Sequence, residues 1–306
     1  MLNGWNFSIK YLKIKALLLL LFVSLLVLSC APRAVQPPPV LLPKKPVKVA
    51  LVLGAGAARG FAHVGVIKVL EANHIPISMI VGTSVGSFVG SLYAYGYSAY
   101  DLQKIANSIT KDDIADITLP DNGFLKGERL ESFVDRMVHN TPIEKLKIPF
   151  YAVATDIQSG KEVVFGKGDT GMAVRASCSI PGVFRPAVIN GRMYVDGGVV
   201  SPVAVQEARR YGADIVIAVD ISADMDDARP TGTLDTMLKS VDIMYSKISY
   251  AQLAKADVVI RPRVGYIGSS DFSRKYDAML EGERAAQAAL PAIRQKLEQF
   301  RKEGRI

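Results

Sequence analysis

The sequence predicts an α/β domain built on a mainly parallel sheet, and three observations carry that expectation. Residues 47–53 form a buried-strand pattern that runs into Gly54-Ala55-Gly56-Ala57-Ala58-Arg59-Gly60 and then into a helical pattern over 61–73. A second apolar strand at 79–81 opens directly onto Gly82-Thr83-Ser84-Val85-Gly86, and another helical pattern follows over 85–95. Strand, crossover helix and strand in that order make a βαβ unit, whose strands lie parallel with a right-handed connection.

Ahead of this unit, residues 1–15 carry Lys10, Lys13 and Lys15 without an acidic residue, and 16–28 are almost unbrokenly apolar. That is the charged and apolar order of a secretory signal, and the run is short of the ~20 residues a spanning helix wants. An uncleaved anchor helix is the competing reading. Val27-Leu28-Ser29-Cys30 resembles a bacterial lipobox, so residues 1–29 read as a signal peptide and Cys30 as the lipidated first residue of the mature chain. With no acidic residue at Ala31-Pro32, the resemblance points to a bacterial outer membrane, with the domain facing the periplasm. Six prolines between 31 and 46 favour extended chain, up to roughly 50 Å long. Residues 30–46 therefore read as a lipid-anchored tether and 47–300 as the folded domain.

Beyond 95 the patterns predict helices over 101–109, 128–139, 171–177, 202–211, 234–254 and 276–300, and strands at 150–155, 162–165, 215–219 and 258–261. Asp169-Thr170 can cap the helix at 171, and Asn190-Gly191 signals a hairpin within 188–195. Residues 111–126 are polar and irregular, suited to a cap over a site or to a surface connection. No internal repeat is present.

Composition removes several classes of function. At 306 residues, 49% apolar and 22% charged, the chain is globular. Three histidines and two cysteines without C-x-x-C or H-x-x-x-H spacing argue against a metal site, and no cofactor is called for. Net charge is +8, and removing the leader's lysines leaves 34 basic against 29 acidic residues. No basic cluster interleaved with aromatics occurs, which argues against nucleic-acid binding while allowing mild attraction to anionic lipid surfaces.

The chemistry-bearing stretch is G-x-S-x-G between strand and helix, the context of a nucleophile elbow. Gly82 and Gly86 leave room where a side chain would clash, and Ser84 is expected to project into solvent at a helix N-terminus, where negative charge is favoured. The glycine loop does not fit a dinucleotide fingerprint, because the last glycine position falls on Arg59. It suits an oxyanion loop instead, with amides of Gly54, Ala55, Gly56 and Ala57 aimed at a carbonyl oxygen and Arg59 adding or holding charge. Only His139 follows Ser84, and no histidine follows Asp156, Asp196, Asp214 or Asp220, so a triad in which one of these strand-end acids precedes the histidine is impossible. His63 and His139 read as packing or surface residues. A carboxylate must then serve as base: Asp196, at a strand end before Gly197-Gly198, with Asp156, Asp214 and Asp220 competing.

Four blocks in order resemble the bacterial patatin-like phospholipases: the glycine loop with Arg59-Gly60, Gly82 to Gly86, Ala176-Ser177-Cys178-Ser179-Ile180-Pro181-Gly182-Val183-Phe184, and Asp196-Gly197-Gly198. The resemblance covers roughly 47–202, and the tail resembles the same bacterial lipoprotein subgroup. It implies a three-layer α/β/α fold, a Ser–Asp dyad on Ser84 and Asp196, an oxyanion loop on Gly54 to Arg59, and phospholipid or another acyl lipid as substrate. This sequence has Ala55 and Ala57 where the family often has glycine, which suits a loop only where φ is negative. An esterase or thioesterase with another substrate, and a catalytically silent lipid-binding lipoprotein, remain the alternatives. None of these patterns sets an oligomeric state.

Overall fold

The computed structural model describes residues 5–28, 44–118, 123–223 and 230–305. The chain divides into two units, Met1–Pro43 and Lys44–Ile306. In the first, helix α1 (Trp5–Leu28) carries Lys10, Lys13 and Lys15 in its first half and is apolar beyond them, with Leu17, Leu18, Leu19 and Leu20 all exposed. Among the described residues no helix is long and apolar enough to cross a membrane. Cys30 and the tether as far as residue 43 lie outside the described residues.

The second unit contains β1 (Val49–Leu53), α2 (Phe61–Ala72), β2 (Ile77–Thr83), α3 (Val85–Tyr95), α4 (Ala99–Ser108), α5 (Glu128–Met137), β3 (Phe150–Asp156) and β4 (Lys161–Phe165). It continues with α6 (Thr170–Cys178), β5 (Ala187–Ile189), β6 (Arg192–Asp196), α7 (Val205–Arg210), β7 (Ile215–Val219), α8 (Thr233–Leu253), β8 (Val258–Ile260) and α9 (Lys275–Lys302). The strands form one sheet in the order β5-β6-β3-β2-β1-β7-β8, with β4 also paired to β3. The run from β3 to β8 is parallel, and β4, β5 and β6 are antiparallel.

Strand alternation makes the layers. Val49, Leu51 and Leu53 of β1 face a core shared with α2, α3, α4, α5 and α9, whereas Ala50 and Val52 face one shared with α7 and Leu253 of α8. Every residue of β1 is fully buried, which is why that strand reads as a continuous apolar run. The result is the mainly parallel, three-layer α/β/α arrangement that the sequence predicts. Local signals act where expected: Asp169 accepts from the Met172 amide at 2.7 Å to cap α6, and Asn190 and Gly191 turn the β5–β6 hairpin at φ 51° and 77°.

One feature of register positions the site. At Val153 the partners are Thr83 of β2 and Val164 of β4, and at Ala154 they are Asp196 of β6 and Val163 of β4. A residue pairs once on each edge, so β2 and β6 share the edge opposite β4. They run toward each other along β3 and their ends meet at adjacent residues.

Candidate active site

Ser84 follows the last residue of β2 and precedes α3, with φ 55° and ψ −128°. A non-glycine residue held there costs about 1–3 kcal/mol, so the surrounding structure must impose the turn. The Ser84 amide donates to Ser177 Oγ at 2.9 Å, and Ser177 Oγ donates onward to the Val153 carbonyl at 2.6 Å. Its carbonyl accepts from the amide and hydroxyl of Ser87, both at 2.7 Å. Close packing fixes the glycines: a Cβ on Gly86 would lie 2.1 Å from the Leu53 carbonyl oxygen, and one on Gly82 would lie 2.5 Å from Ser87 Cα. Ser84 does not project into solvent as the sequence suggests. It is only 3% exposed, because segments beyond residue 180 close over the turn.

The glycine loop lies beside the elbow, at the end of the neighbouring strand. The Gly54 amide donates to the Val219 carbonyl at 3.1 Å and the Ala55 amide to the Pro202 carbonyl at 2.9 Å. Those amides are therefore unavailable, and the expectation that all of 54–57 serve an oxyanion narrows to Gly56 and Ala57. The amides of these two have no hydrogen-bond acceptor among the described residues. They line a small chamber with Ser84, Ile180, Leu238, Val241, Asp242, Tyr245 and Ser269. Ala57 sits at φ 49°, so the condition of negative φ holds at Ala55 but not at Ala57.

Arg59 does not point at the chamber's donors. Its side chain is buried and donates to the Ile221 carbonyl at 3.0 Å, the Ile267 carbonyl at 3.2 Å and both carboxylate oxygens of Asp242. Together with the Ala58 amide, which donates to the Ser269 carbonyl at 3.1 Å, it ties the loop to three distant segments. The expectation that Arg59 stabilises an oxyanion gives way to a clamp.

Asp196 ends β6 opposite Ser84 and is fully buried. Its Oδ1 accepts from the Gly198 amide at 2.7 Å. Burial pushes its pKa up to about 6, while the hydroxyl of Ser84, the Gly198 amide and the hydroxyl of Tyr245 favour the carboxylate and oppose that rise. Oδ2 has no hydrogen bond of full geometry, and it is the acceptor left over for the two hydroxyls. Ser84 also lines an apolar cavity of about 300 Å³ that extends between α2, α3 and α4, with Phe61, Val64, Phe88, Leu92, Leu102 and Ile105 among its walls. Lys111, Ile114, Ala115 and Leu125 also line it, so part of the irregular 111–126 segment forms cavity wall; residues 119–122 lie outside the described residues.

The family model for patatin-like phospholipase matches residues 51–209, just over half of the chain. The chain belongs to the patatin-like phospholipase family. An uncharacterized NTE family protein of Mycobacterium tuberculosis is 36% identical over 208 residues, which cover 65% of this chain and 58% of that protein. A lysophospholipase NTE1 of Coccidioides immitis is 34% identical over 233 residues, 73% of this chain but 15% of that one. The chain thus spans less than two thirds of either relative. Among solved structures, VipD from Legionella pneumophila superposes with a TM-score of 0.56 at 11% identity, over 80% of this chain and 67% of that one. Full-length ExoU of Pseudomonas aeruginosa, in complex with SpcU, gives 0.50 at 13% identity over 83% and 53% of the two chains. At such identities the likeness is one of fold.

Within the patatin-like domain the competing groups are occupied. Asp156 holds Arg192 and the amides of Gln158 and Ser159, Asp220 holds Arg261 and Ser222, and Asp214 holds the Lys48 amide and Arg305. His63 is fully buried, its pKa pushed down to about 4 by desolvation, and its Nε2 lies 2.9 Å from the Gly54 carbonyl. As a neutral donor it braces the loop. His139 packs on the Tyr95 ring. Sequence reasoning missed Ser177, Asp242 and Tyr245. Ser177 stands inside a quoted block but reads there as a small helix residue, and the other two lie on α8 with no motif around them.

Proposed function

We propose that this chain is a serine acyl hydrolase of lipid esters that works through Ser84 and Asp196. The observation that carries the reading is a buried serine held in a strained strand-to-helix turn, beside a buried carboxylate and in the wall of an apolar cavity. Ser84 Oγ attacks the ester carbonyl as Asp196 accepts its proton, and the amides of Gly56 and Ala57 receive the oxyanion. Asp196 returns the proton to the leaving alcohol. Water, deprotonated by Asp196, then attacks the acyl-serine, releasing the fatty acid and restoring Ser84. A carboxylate whose pKa lies near 6 is a better base than an ordinary aspartate and is still ionised at neutral pH. The apolar cavity suits an acyl chain, and the fungal relatives' name, lysophospholipase, agrees with a lipid ester. A lipid on Cys30, at the end of the proline-rich tether, would hold the domain at the bacterial envelope; incorporation of labelled palmitate into wild type but not Cys30→Ala tests that part.

The deciding experiment is labelling of the full chain in detergent micelles with a fluorophosphonate probe. The wild type labels, Ser84→Ala does not, and Asp196→Asn labels at a small fraction of the wild-type rate. A folded wild type that neither labels nor releases fatty acid from lysophospholipid vesicles would sink the reading.

A further inference from the structure

Two polar atoms near Ser84 are buried, without a well-formed hydrogen bond, and interact with each other: Asp196 Oδ2 and the hydroxyl of Tyr245. Tyr245 is 5% exposed and lies on α8, about 50 residues further along the chain. Its ring lies on Gly198, where a Cβ would come within 2.2 Å of Cζ and 2.7 Å of the hydroxyl oxygen. The Gly198 amide is the donor to Asp196 Oδ1, so the residue that secures one carboxylate oxygen is also the one that admits the phenol beside the other. A buried phenol without an acceptor, next to a buried carboxylate with a free oxygen, is a costly arrangement unless the two pair.

We propose that Tyr245 is a positioning residue for the dyad: its hydroxyl donates to Asp196 Oδ2 and holds the carboxylate turned toward Ser84. The inference rests on the reading of Ser84 and Asp196 given above. Tyr245 takes no proton in the reaction, since carboxylate and burial both push its pKa well above the ordinary phenol value. Its hydrogen bond favours ionised Asp196, against the desolvation that raises that group's pKa. The other groups that face the pair are the Cys178 thiol from α6 and Asp242 from α8, the latter held by Arg59. The thiol stays protonated and Asp242 is paired, so neither brings a cation to the buried carboxylate and Tyr245 stands as a hydrogen-bond donor to it.

The test compares pH profiles of kcat/KM for ester hydrolysis by the full-length wild type, Tyr245→Phe, a 3-fluorotyrosine replacement at 245, and Ser84→Ala. Loss of a hydrogen bond to a charged group should move the acid limb of Tyr245→Phe upward by about one pH unit, a roughly ten-fold loss on the limb, with the alkaline plateau largely kept. The more acidic fluorophenol is a stronger donor of nearly the same shape and should move the limb downward. An unmoved limb in Tyr245→Phe, or a uniform loss at every pH, would overturn the proposal. If Tyr245→Phe fails to fold, the direction of the fluorotyrosine shift decides. Hydrolysis that persists in Ser84→Ala would instead overturn the reading of the dyad.

Discussion

The elbow after β2 and the glycine loop after β1 are neighbouring turns at the ends of adjacent parallel strands, yet they are held in different ways. The elbow is fixed largely from nearby, by the β2 and α3 backbones and by Leu53 one strand away, with the Ser177 hydroxyl as a distant partner to the Ser84 amide. The glycine loop is fixed from afar, by Pro202, Val219, Ile221, Asp242, Ile267 and Ser269. Each carries one non-glycine residue at positive φ, Ser84 at 55° and Ala57 at 49°. In the elbow the strained residue is a serine beside a buried carboxylate; in the loop it is an alanine that lines the chamber and whose amide is unpaired among the described residues. A self-contained motif can supply a reactive side chain, whereas presenting bare amides needs acceptors elsewhere in the chain to occupy the rest.

Substitutions can break or sharpen this contrast. The largest effect belongs to Ser84→Ala, with ester hydrolysis falling at least about 10³-fold while the melting temperature holds or rises, since the strained turn remains but its polar group is gone. Asp196→Asn should lower kcat by about 10²–10⁴-fold. It should also stabilise the protein at neutral pH, and the sign is set by linkage. The folded pKa of about 6 lies above the ordinary 3.8, so the stabilising term is full below pH 3.8 and lost as pH rises through 6. Urea unfolding at pH 7.5 should then favour the Asn variant by up to about 3 kcal/mol, and the difference should close by pH 4.

Arg59→Met tests the loop's distant clamp. Removing a guanidinium that pairs with Asp242 and two carbonyls should cost about 3–5 kcal/mol in denaturant unfolding. A direct oxyanion donor would lose kcat with stability intact, and that outcome would restore the role the sequence suggested. The smallest effect is Ala57→Gly, which relieves positive φ and should stabilise by up to about 1 kcal/mol, whereas Ala55→Gly, at ordinary φ, should give no gain.

The same contrast explains how much was legible. The layers, the parallel core and most element boundaries follow from apolar periodicity and glycine punctuation. Helix α3 and strand β7 coincide with their expected spans, while the helix expected over 202–211 is confined to Val205–Arg210. The strand expected at 79–81 lengthens to Ile77–Thr83, because Ile77 pairs with β1 and Thr83 with β3, while Ser78 stands at a register shift and accepts the Val49 amide on its hydroxyl. Ser84 and Asp196 were nameable because each sits in a local turn with its own glycines. The availability of amides at Gly56 and Ala57 but not at Gly54 and Ala55 was not, since it depends on carbonyls some 150 residues away. The burial of Ser84 and the place of Tyr245 were hidden for the same reason.

The head-on meeting of β2 and β6 along one edge of β3 also gives the site a timetable. A chain emerging from the ribosome exposes Ser84 more than 100 residues before Asp196, and Asp196 reaches its place only when the β5–β6 hairpin docks on a β3 already in the sheet. Until then Ser84 has no carboxylate beside it. A lipid hydrolase built this way would thus complete its site late in synthesis, without a separate inhibitor, only when the hairpin at the sheet's margin is laid down.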